Sequence, residues 1–187
     1  MQNKKLLVYL EGTLFAAMAM VLSFIPTGIG SSFSVSLGMV PLLFFSVRRG
    51  FVAGVFSGFL WGILHFVTGS VYMLNIYQVV IEYTITYASV GFAGLYSAKI
   101  RQTIKTNDTS KTILYLFIAT IVGTLARYFW HFIAGWIFWG TYALWGMNAM
   151  VFSLVMNGLS FFATATVASI VLFMLVKSTP LIFLPKK

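Results

Sequence analysis

The fold class of this chain is decided by residues 148–176, NAMVFSLVMNGLSFFATATVASIVLFMLV. This stretch contains no Asp, Glu, Lys or Arg. A helix rises about 1.5 Å per residue, so the stretch is long enough to cross the roughly 30 Å hydrocarbon core of a bilayer. An uncharged apolar run of this length is typical of a membrane-spanning helix and predicts one here.

Five further apolar stretches precede it, and turn-forming or polar segments separate them. They cover residues 6–25, 33–47, 51–68, 75–97 and 112–132. The chain of 187 residues is 60% hydrophobic and 8% charged, whereas soluble domains average about 25% charged residues. We therefore predict an all-α membrane protein, a single transmembrane domain over residues 1–187 with six transmembrane helices. The first stretch is too long for a signal-peptide core and is interpreted as an uncleaved span.

The basic residues predict the orientation of these helices. They occur before the first stretch, between the second and third, between the fourth and fifth, and after the sixth: Lys4, Lys5, Arg48, Arg49, Lys99, Arg101, Lys105, Lys111, Lys177, Lys186 and Lys187. The three remaining connections contain no Lys or Arg. Because cytoplasmic loops collect basic residues, both termini are predicted to be cytoplasmic. The net charge of +9 is thus explained without a nucleic-acid partner.

Polar side chains repeat at helical spacing in three successive predicted helices. They are Asn75, Gln78, Glu82, Thr86 and Ser89; then Thr120, Thr124, Arg127 and His131; then Ser153, Asn157, Ser160 and Thr164. Ionisable groups in a bilayer normally face the bundle interior or a wet cavity. Aromatic residues crowd the outer half of the same helices. One carboxylate, a few amide and imidazole groups and many rings predict an outward-open cavity for a small, flat, cationic heteroaromatic molecule.

Structural alternatives exist for several of these residues. Glu82 and Arg127 are candidates for a buried ion pair, which would be structural. The tryptophans are also typical of an interfacial aromatic belt. His65 has few polar companions and is interpreted as a hydrogen-bonded core histidine. Glycines at positions 54, 58 and 62 are predicted to form a helix-packing face.

Four segments resemble the ThiT family, the thiamine-specific S components of energy-coupling-factor (ECF) transporters. They are SVRRG at 46–50, Tyr72 with Glu82-Tyr83, YFWHFIAGWIFW at 128–139, and Asn157-Gly158. The similarity extends from the first span to the sixth, and the segment from His131 to Trp139 is its most specific part. The resemblance implies the ECF S-component fold and high-affinity thiamine binding. It also implies partners, namely a transmembrane T subunit and two ATPases.

The same resemblance implies a role for each site residue. Glu82 would meet the charged part of the vitamin, and His131 and Trp139 would hold its rings. Tyr72 and Tyr83 would line the pocket, and Asn157 would hydrogen-bond the aminopyrimidine. Thiamine is then the bound substrate, with no cofactor or metal, and the protein is a transport subunit of a bacterial plasma membrane.

Three positions depart from the family pattern. Ser32 stands where the family has a pocket tryptophan in the first outer loop, and Phe33 beside it is the candidate replacement. Phe152 replaces a tyrosine and loses a hydroxyl, which is worth about 0.5–1.5 kcal/mol if it made a hydrogen bond. Thr13 stands in place of the first of two alanines in the motif that contacts the T subunit, and Ala17 keeps the second, so close helix approach is still permitted.

Other functions compete with thiamine capture. The chain has no GxxxxGK[ST] phosphate loop, so ATP-driven uptake requires separate ATPases. A proton-coupled solo thiamine transporter would use Glu82 and His131 as a relay. An intramembrane enzyme is disfavoured because metal catalysis needs about three ligands and no Ser-His-Asp group can be assembled. An S component for another vitamin or a pyrimidine precursor is the remaining alternative, although the single carboxylate favours a cation.

Overall fold

Within residues 2–29 and 33–185, which the computed structural model describes, the chain forms six helical rods and one short hairpin. The elements are α1 (Gln2–Ser23), β1 (Gly28–Ile29), β2 (Phe33–Ser34), α2 (Met39–Arg49), α3 (Phe51–Val67), α4 (76–105), α5 (Thr109–Phe138) and α6 (Ala149–Ser178). Short 3₁₀ turns follow α5 at Gly140–Tyr142 and α6 at Pro180–Phe183. The predicted helical character is confirmed. Three helical segments, Lys5–Ser23 in α1 and the whole of α5 and α6, are long and apolar enough to cross a membrane.

Helix α2 is the centre of the bundle. Its buried residues lie on all sides of the helix, in an unbroken run from Pro41 to Val47 with Met39 before it. A helix that is apolar all round is stable only when other elements surround it completely. The other rods therefore pack around α2, and its C-terminal Arg48 and Arg49 mark one end of the bundle.

The prediction that the second helix spans residues 33–47 is wrong at its beginning. Residues 33 and 34 are a strand, paired antiparallel with residues 28 and 29, and the helix begins only at Met39. The extended backbone is satisfied from the side, because Ser34 N–H donates to Ser160 Oγ at 3.1 Å and Ser36 N–H donates to Thr164 Oγ1 at 3.0 Å. Hydroxyl groups on α6 thus replace the helical hydrogen bonds that an apolar environment would otherwise demand.

Helix α4 is longer and less regular than predicted. It continues from residue 76 to Lys105, so much of the connection predicted between residues 97 and 112 is helical. The true connection is residues 106–108, and Asp108 caps α5 by accepting a hydrogen bond from Lys111 N–H at 3.0 Å. Helix α5 accordingly runs from Thr109 to Phe138, where 112–132 was predicted. Charged residues alone do not end a helix, and those between residues 97 and 105 continue α4.

Two segments of α4 depart from α-helical geometry. Residues Val80–Ile85 form a π-helical segment, and residues Ser89–Tyr96 form a 3₁₀ segment. The π segment is closed by the Thr86 N–H, which donates to the Ile81 carbonyl five residues earlier. Such π segments concentrate at functional sites because they change the direction in which side chains point.

The predicted glycine face of α3 is confirmed as a packing surface against α4. A Cβ atom built on Gly62 would lie 1.8 Å from the Tyr83 carbonyl oxygen, and one on Gly58 would lie 2.2 Å from that of Tyr87. One on Gly54 would lie 2.9 Å from the Gly91 Cα. The backbones of α3 and α4 touch directly, and this contact includes the π segment.

Replacing Gly62 by Ala is expected to destabilise the protein and to weaken any ligand held by α4, because the new methyl group displaces the Tyr83 backbone. Overpacking of this kind costs about 1–3 kcal/mol, sometimes more. The matched control is Gly158→Ala on α6, where a Cβ meets nothing within 4 Å and helix propensity favours Ala by up to about 1 kcal/mol. Thermal unfolding of both variants in detergent measures the difference. Equal melting temperatures would contradict the close contact.

The end of the bundle that contains Arg48 and Arg49, here called the basic end, is fastened by an ion cluster. Glu11 of α1 accepts hydrogen bonds from Arg48 Nε and Arg49 Nε, both at 2.6 Å. Arg48 also donates to the carbonyl oxygens of Ile182 and Leu184. One guanidinium therefore joins α1, α2 and the segment that follows α6.

Candidate functional site

A cavity of about 260 Å³ opens at the end of the bundle opposite the basic end. It lies between α4, α5, α6 and the α5–α6 connection. Its lining residues are Glu82, His131, Gly135, Trp139, Tyr142, Phe152, Ser153, Met156 and Asn157. The cavity is therefore built from the three helices whose polar faces the sequence singled out.

Glu82 is the only acidic residue among those that line the cavity. It lies on the π segment, and each of its carboxylate oxygens accepts one hydrogen bond. The Trp139 indole N–H donates to Oε1 at 2.6 Å, and the Gln78 amide donates to Oε2. Both donors are neutral, so they fix the direction of the carboxylate without cancelling its charge. Among the described residues no Lys, Arg or His forms an ion pair with Glu82.

Gln78 connects this carboxylate to the segment between α3 and α4. Its side chain is fully buried, donates to the Tyr72 carbonyl at 3.1 Å and accepts from Leu74 N–H at 3.1 Å. The Gln78 backbone N–H is in turn capped by the Asn75 side chain at 2.9 Å. Every polar group of the Gln78 side chain is thereby used, which holds Glu82 in one position.

Aromatic rings form the outer wall of the cavity. The Trp139 ring lies 5.4 Å from that of Tyr72 and 5.5 Å from that of Tyr142, measured between centroids. The Phe152 ring is 6% exposed and lies 5.9 Å from that of Trp145. Because Trp139 is held both by its neighbours and by its bond to Glu82, it presents a preset face to a flat ligand.

Asn157 and Ser153 supply the polar groups on the α6 side. Ser153 Oγ donates to the Phe132 carbonyl of α5 at 2.8 Å, and the Asn157 amide donates to the Ser153 carbonyl at 3.0 Å. The amide oxygen of Asn157 accepts no bond from the described residues and is left for a ligand N–H. Gly135 permits this arrangement, since a Cβ there would lie 2.3 Å from Ser153 Oγ.

The structure brings five of the eight predicted substrate-binding residues onto this one cavity: Glu82, His131, Trp139, Phe152 and Asn157. The other three lie outside its lining. Tyr72 touches Trp139, and Tyr83 Oη accepts the Tyr72 N–H at 2.9 Å. Phe33 lies on β2, and Ser32 is outside the described residues.

Four lining residues were not predicted as site residues: Gly135, Tyr142, Ser153 and Met156. Tyr142 lies in the α5–α6 connection, where periodicity gives no signal, and Met156 is an apolar neighbour of Asn157. Ser153 was recognised as polar but was not assigned to the site. The Tyr142 ring is notable because it brings a phenol to the cavity where Phe152 lacks one.

The alternative in which Glu82 pairs with Arg127 is wrong. Arg127 Nη1 donates to Ser36 Oγ at 2.6 Å, and its guanidinium carbon lies 4.6 Å from the ring centroids of Trp61 and Tyr87. The interpretation of His65 as a core histidine is confirmed. Its Nδ1 bonds to the Trp61 carbonyl at 2.9 Å and its Nε2 to the Tyr87 hydroxyl at 3.0 Å.

The chemistry of the cavity is that of a binding site. Within residues 2–29 and 33–185, no group of three or more His, Cys, Asp or Glu residues is placed to hold a metal ion. A fixed carboxylate, aromatic faces and a free amide oxygen instead match a ligand that is flat, positively charged and able to donate N–H bonds.

Comparison with known proteins assigns the family. A solved structure described as ThiT from Listeria monocytogenes superposes with a TM-score of 0.95 and 48% sequence identity, covering 98% of this chain and 100% of that one. Residues 9–184 match the family described as thiamine transporter protein (Thia_YuaJ). The chain belongs to this thiamine transporter family.

Two curated members of the thiamine transporter family are also similar over nearly their whole length. The thiamine transporter ThiT of Lacticaseibacillus paracasei is 38% identical over 99% of this chain and 94% of that protein. The thiamine transporter ThiT of Bacillus subtilis is 28% identical over 96% and 95%. The family consists of transport proteins, so the prediction that the chain is not an enzyme is confirmed. The family resemblance predicted from the sequence is confirmed as well.

Proposed function

We propose that this chain captures thiamine with high affinity in the Glu82 cavity, as the substrate-binding S component of an ECF transporter. The observation that carries the proposal is the Glu82 carboxylate. Two neutral donors aim it at an aromatic-walled cavity, and no cation from the described part of the chain neutralises it. A half-buried carboxylate in this state is complementary to a cationic ligand that can replace water.

Each part of thiamine has a matching group in the cavity. The thiazolium carries the positive charge and is placed beside Glu82, and the flat rings are held between His131 and Trp139. The aminopyrimidine is an N–H donor and is placed against the Asn157 amide oxygen. Phe152 and Tyr142 close the remaining wall, while Tyr72 and Tyr83 support Trp139 from outside.

The proposed membrane arrangement is six spans with both termini in the cytoplasm. The basic end, with Arg48 and Arg49, then faces the cytoplasm, and the cavity faces outward. Helix α2 has 11 residues and is about 16 Å long, too short to span alone. The extended segment before it completes the crossing, which is allowed because the bundle interior satisfies its backbone.

The proposed contact with the T subunit lies on α1. Thr13 and Ala17 are both exposed on a face that also carries exposed Leu10, Leu14 and Met18. Thr13 bonds back to the Tyr9 carbonyl at 2.9 Å, so its hydroxyl adds little polarity to this surface. Small residues permit another helix to approach closely, and the T subunit with two ATPases would supply the energy.

Titration of the purified protein with thiamine tests the proposal, with tryptophan fluorescence as the signal because Trp139 contacts the ligand site. We expect thiamine to quench the fluorescence saturably. We expect hydroxymethylpyrimidine and pyridoxine to bind much more weakly. Tighter binding of either neutral compound would overturn the ligand assignment. Uptake into proteoliposomes separates an S component from a solo proton-coupled transporter. An S component takes up thiamine only when a T subunit and ATPases are reconstituted with it.

Replacing Asn157 by Leu is expected to weaken thiamine binding about 10-fold, because the aminopyrimidine loses its acceptor while the cavity keeps its volume. The loss corresponds to about 0.5–1.5 kcal/mol for one neutral hydrogen bond. Gly158→Ala, one position along the same helix, is the control and should bind as the wild type does. An unchanged affinity of the Asn157 variant would remove the residue from the site.

A further inference from the structure

We propose that a second cavity, beside Arg127, binds a small inorganic anion such as chloride. Arg127 lies in the middle of α5 and is 5% exposed. Its Nη1 donates to Ser36 Oγ at 2.6 Å, whereas its buried Nε has no hydrogen-bond partner among residues 2–29 and 33–185. A guanidinium has five N–H donors and cannot deprotonate in a protein, so an orphaned donor here belongs to a full positive charge.

No side-chain carboxylate of this chain balances that charge. The sequence contains three acidic residues, and each has other partners. Glu11 binds Arg48 and Arg49, Glu82 binds Gln78 and Trp139, and Asp108 binds Lys111. Buried charges are normally paired, so the missing counter-charge has to come from outside the chain.

The aromatic surroundings of Arg127 compensate for its burial only in part. Its guanidinium carbon lies 4.6 Å from the centroids of both Trp61 and Tyr87 and 5.8 Å from that of Tyr128. Cation–π contacts are strengthened by desolvation, but they do not replace the hydrogen bonds that the N–H groups lose. Arg127 also lines a cavity, so its guanidinium is within reach of another ligand.

The space for that ligand is a cavity of about 300 Å³ between the end of α1, the hairpin, α3, α4 and α5. No Asp or Glu lines it, and its polar lining residues are Ser23, Thr27, Ser34, Ser36, His65, Tyr87 and Arg127. None of these residues lines the Glu82 cavity, so the two sites are distinct. The described lining thus combines one buried cation with hydroxyl groups, which are the usual ligands of a small anion.

Neighbouring groups do not supply a competing charge. Both ring nitrogens of His65 are used in hydrogen bonds, to the Trp61 carbonyl and the Tyr87 hydroxyl. The Ser36 hydroxyl accepts from Arg127 and has its own proton left to donate. An anion placed in the cavity would therefore accept from the Arg127 guanidinium and from the Ser36 hydroxyl at once. This inference does not depend on the identity of the ligand in the Glu82 cavity.

Thermal unfolding of the purified protein in sodium chloride and in sodium gluconate, at the same ionic strength, tests the proposal. A specific site filled by chloride is expected to raise Tm by about 4 °C over gluconate. The Arg127→Met variant should show the same Tm in both salts, whereas Arg101→Met, which removes an arginine from the basic end, should keep the full difference. Equal wild-type Tm values in the two salts, or an undiminished difference in Arg127→Met, would overturn the proposal.

Crystals grown in sodium bromide give a second test that does not require the variant to fold. An anomalous bromide peak in the cavity, within hydrogen-bond distance of the Arg127 guanidinium, is the expected result. Bromide peaks confined to the protein surface, with none beside Arg127, would overturn the proposal.

Discussion

Replacing Glu82 by Gln is expected to weaken thiamine binding about 100-fold or more. The substitution keeps the shape of the side chain and removes the charge that faces the cavity. Loss of one partner from a buried, hydrogen-bonded charge pair costs about 2–5 kcal/mol, and each 1.4 kcal/mol is a factor of ten in Kd. Fluorescence or calorimetric titration of the two proteins with thiamine measures the ratio of their dissociation constants.

The neutral amide has a second effect, which needs a control. Glu82 accepts from both Trp139 and Gln78, whereas a glutamine side chain offers only one acceptor atom, so one of those donors loses its partner. Titration with an uncharged pyrimidine measures this structural effect by itself. If the variant loses the same factor for the neutral compound as for thiamine, then Glu82 holds the site together and does not select a cation.

Removal of the Trp139 ring by substitution with Ala is expected to be nearly as damaging. The change deletes the flat surface that covers the ligand and also one of the two donors that aim Glu82. Truncation of a tryptophan at the centre of a binding site weakens the binding free energy by about 2–4 kcal/mol. This corresponds to a roughly 30- to 1,000-fold increase in Kd. Calorimetry is the appropriate measurement here, because the variant lacks a fluorophore of the site.

The two roles of Trp139 are separable. Trp139→Phe keeps a ring but has no N–H. The variant should therefore retain most of the stacking, while its affinity for thiamine falls about 10-fold because Glu82 loses one of its two donors. Trp145→Ala is a matched control, since Trp145 is 70% exposed, does not line the cavity and should matter far less. Equal affinity of Trp139→Ala and wild type would exclude the ring from the binding surface.

The helices were predictable where hydropathy determines them. Residues 148–176 were predicted as one span, and the structure has a helix at Ala149–Ser178, because an apolar segment in a bilayer has no other way to satisfy its backbone. Residues 33–38 are equally uncharged, yet they form a short strand at Phe33–Ser34 and a turn before Met39. Their hydrogen bonds come from Ser160 and Thr164, more than 120 positions away, and no local pattern contains that information.

The candidate site was predictable to a similar extent. The rare intramembrane carboxylate drew attention to Glu82 by itself, and helical spacing gave the companions His131 and Asn157. Spacing could not show that Arg127 turns away toward Ser36, since that depends on how the helices are rotated against one another. Tyr142 lies in an irregular connection, where its position is set by tertiary contacts alone.

The π segment of α4 limits how this protein can change its selectivity. Relative to an α-helix, the segment holds one additional residue, and each residue turns the helix by about 100°. Deleting one residue between Val80 and Ile85 would restore regular α-helical winding. The side chain at position 82 would then rotate away from the cavity, whichever residue occupied that position. Descendants of this sequence can change the side chain at position 82 by substitution. The direction in which that side chain points changes only when a residue is inserted into the segment or deleted from it.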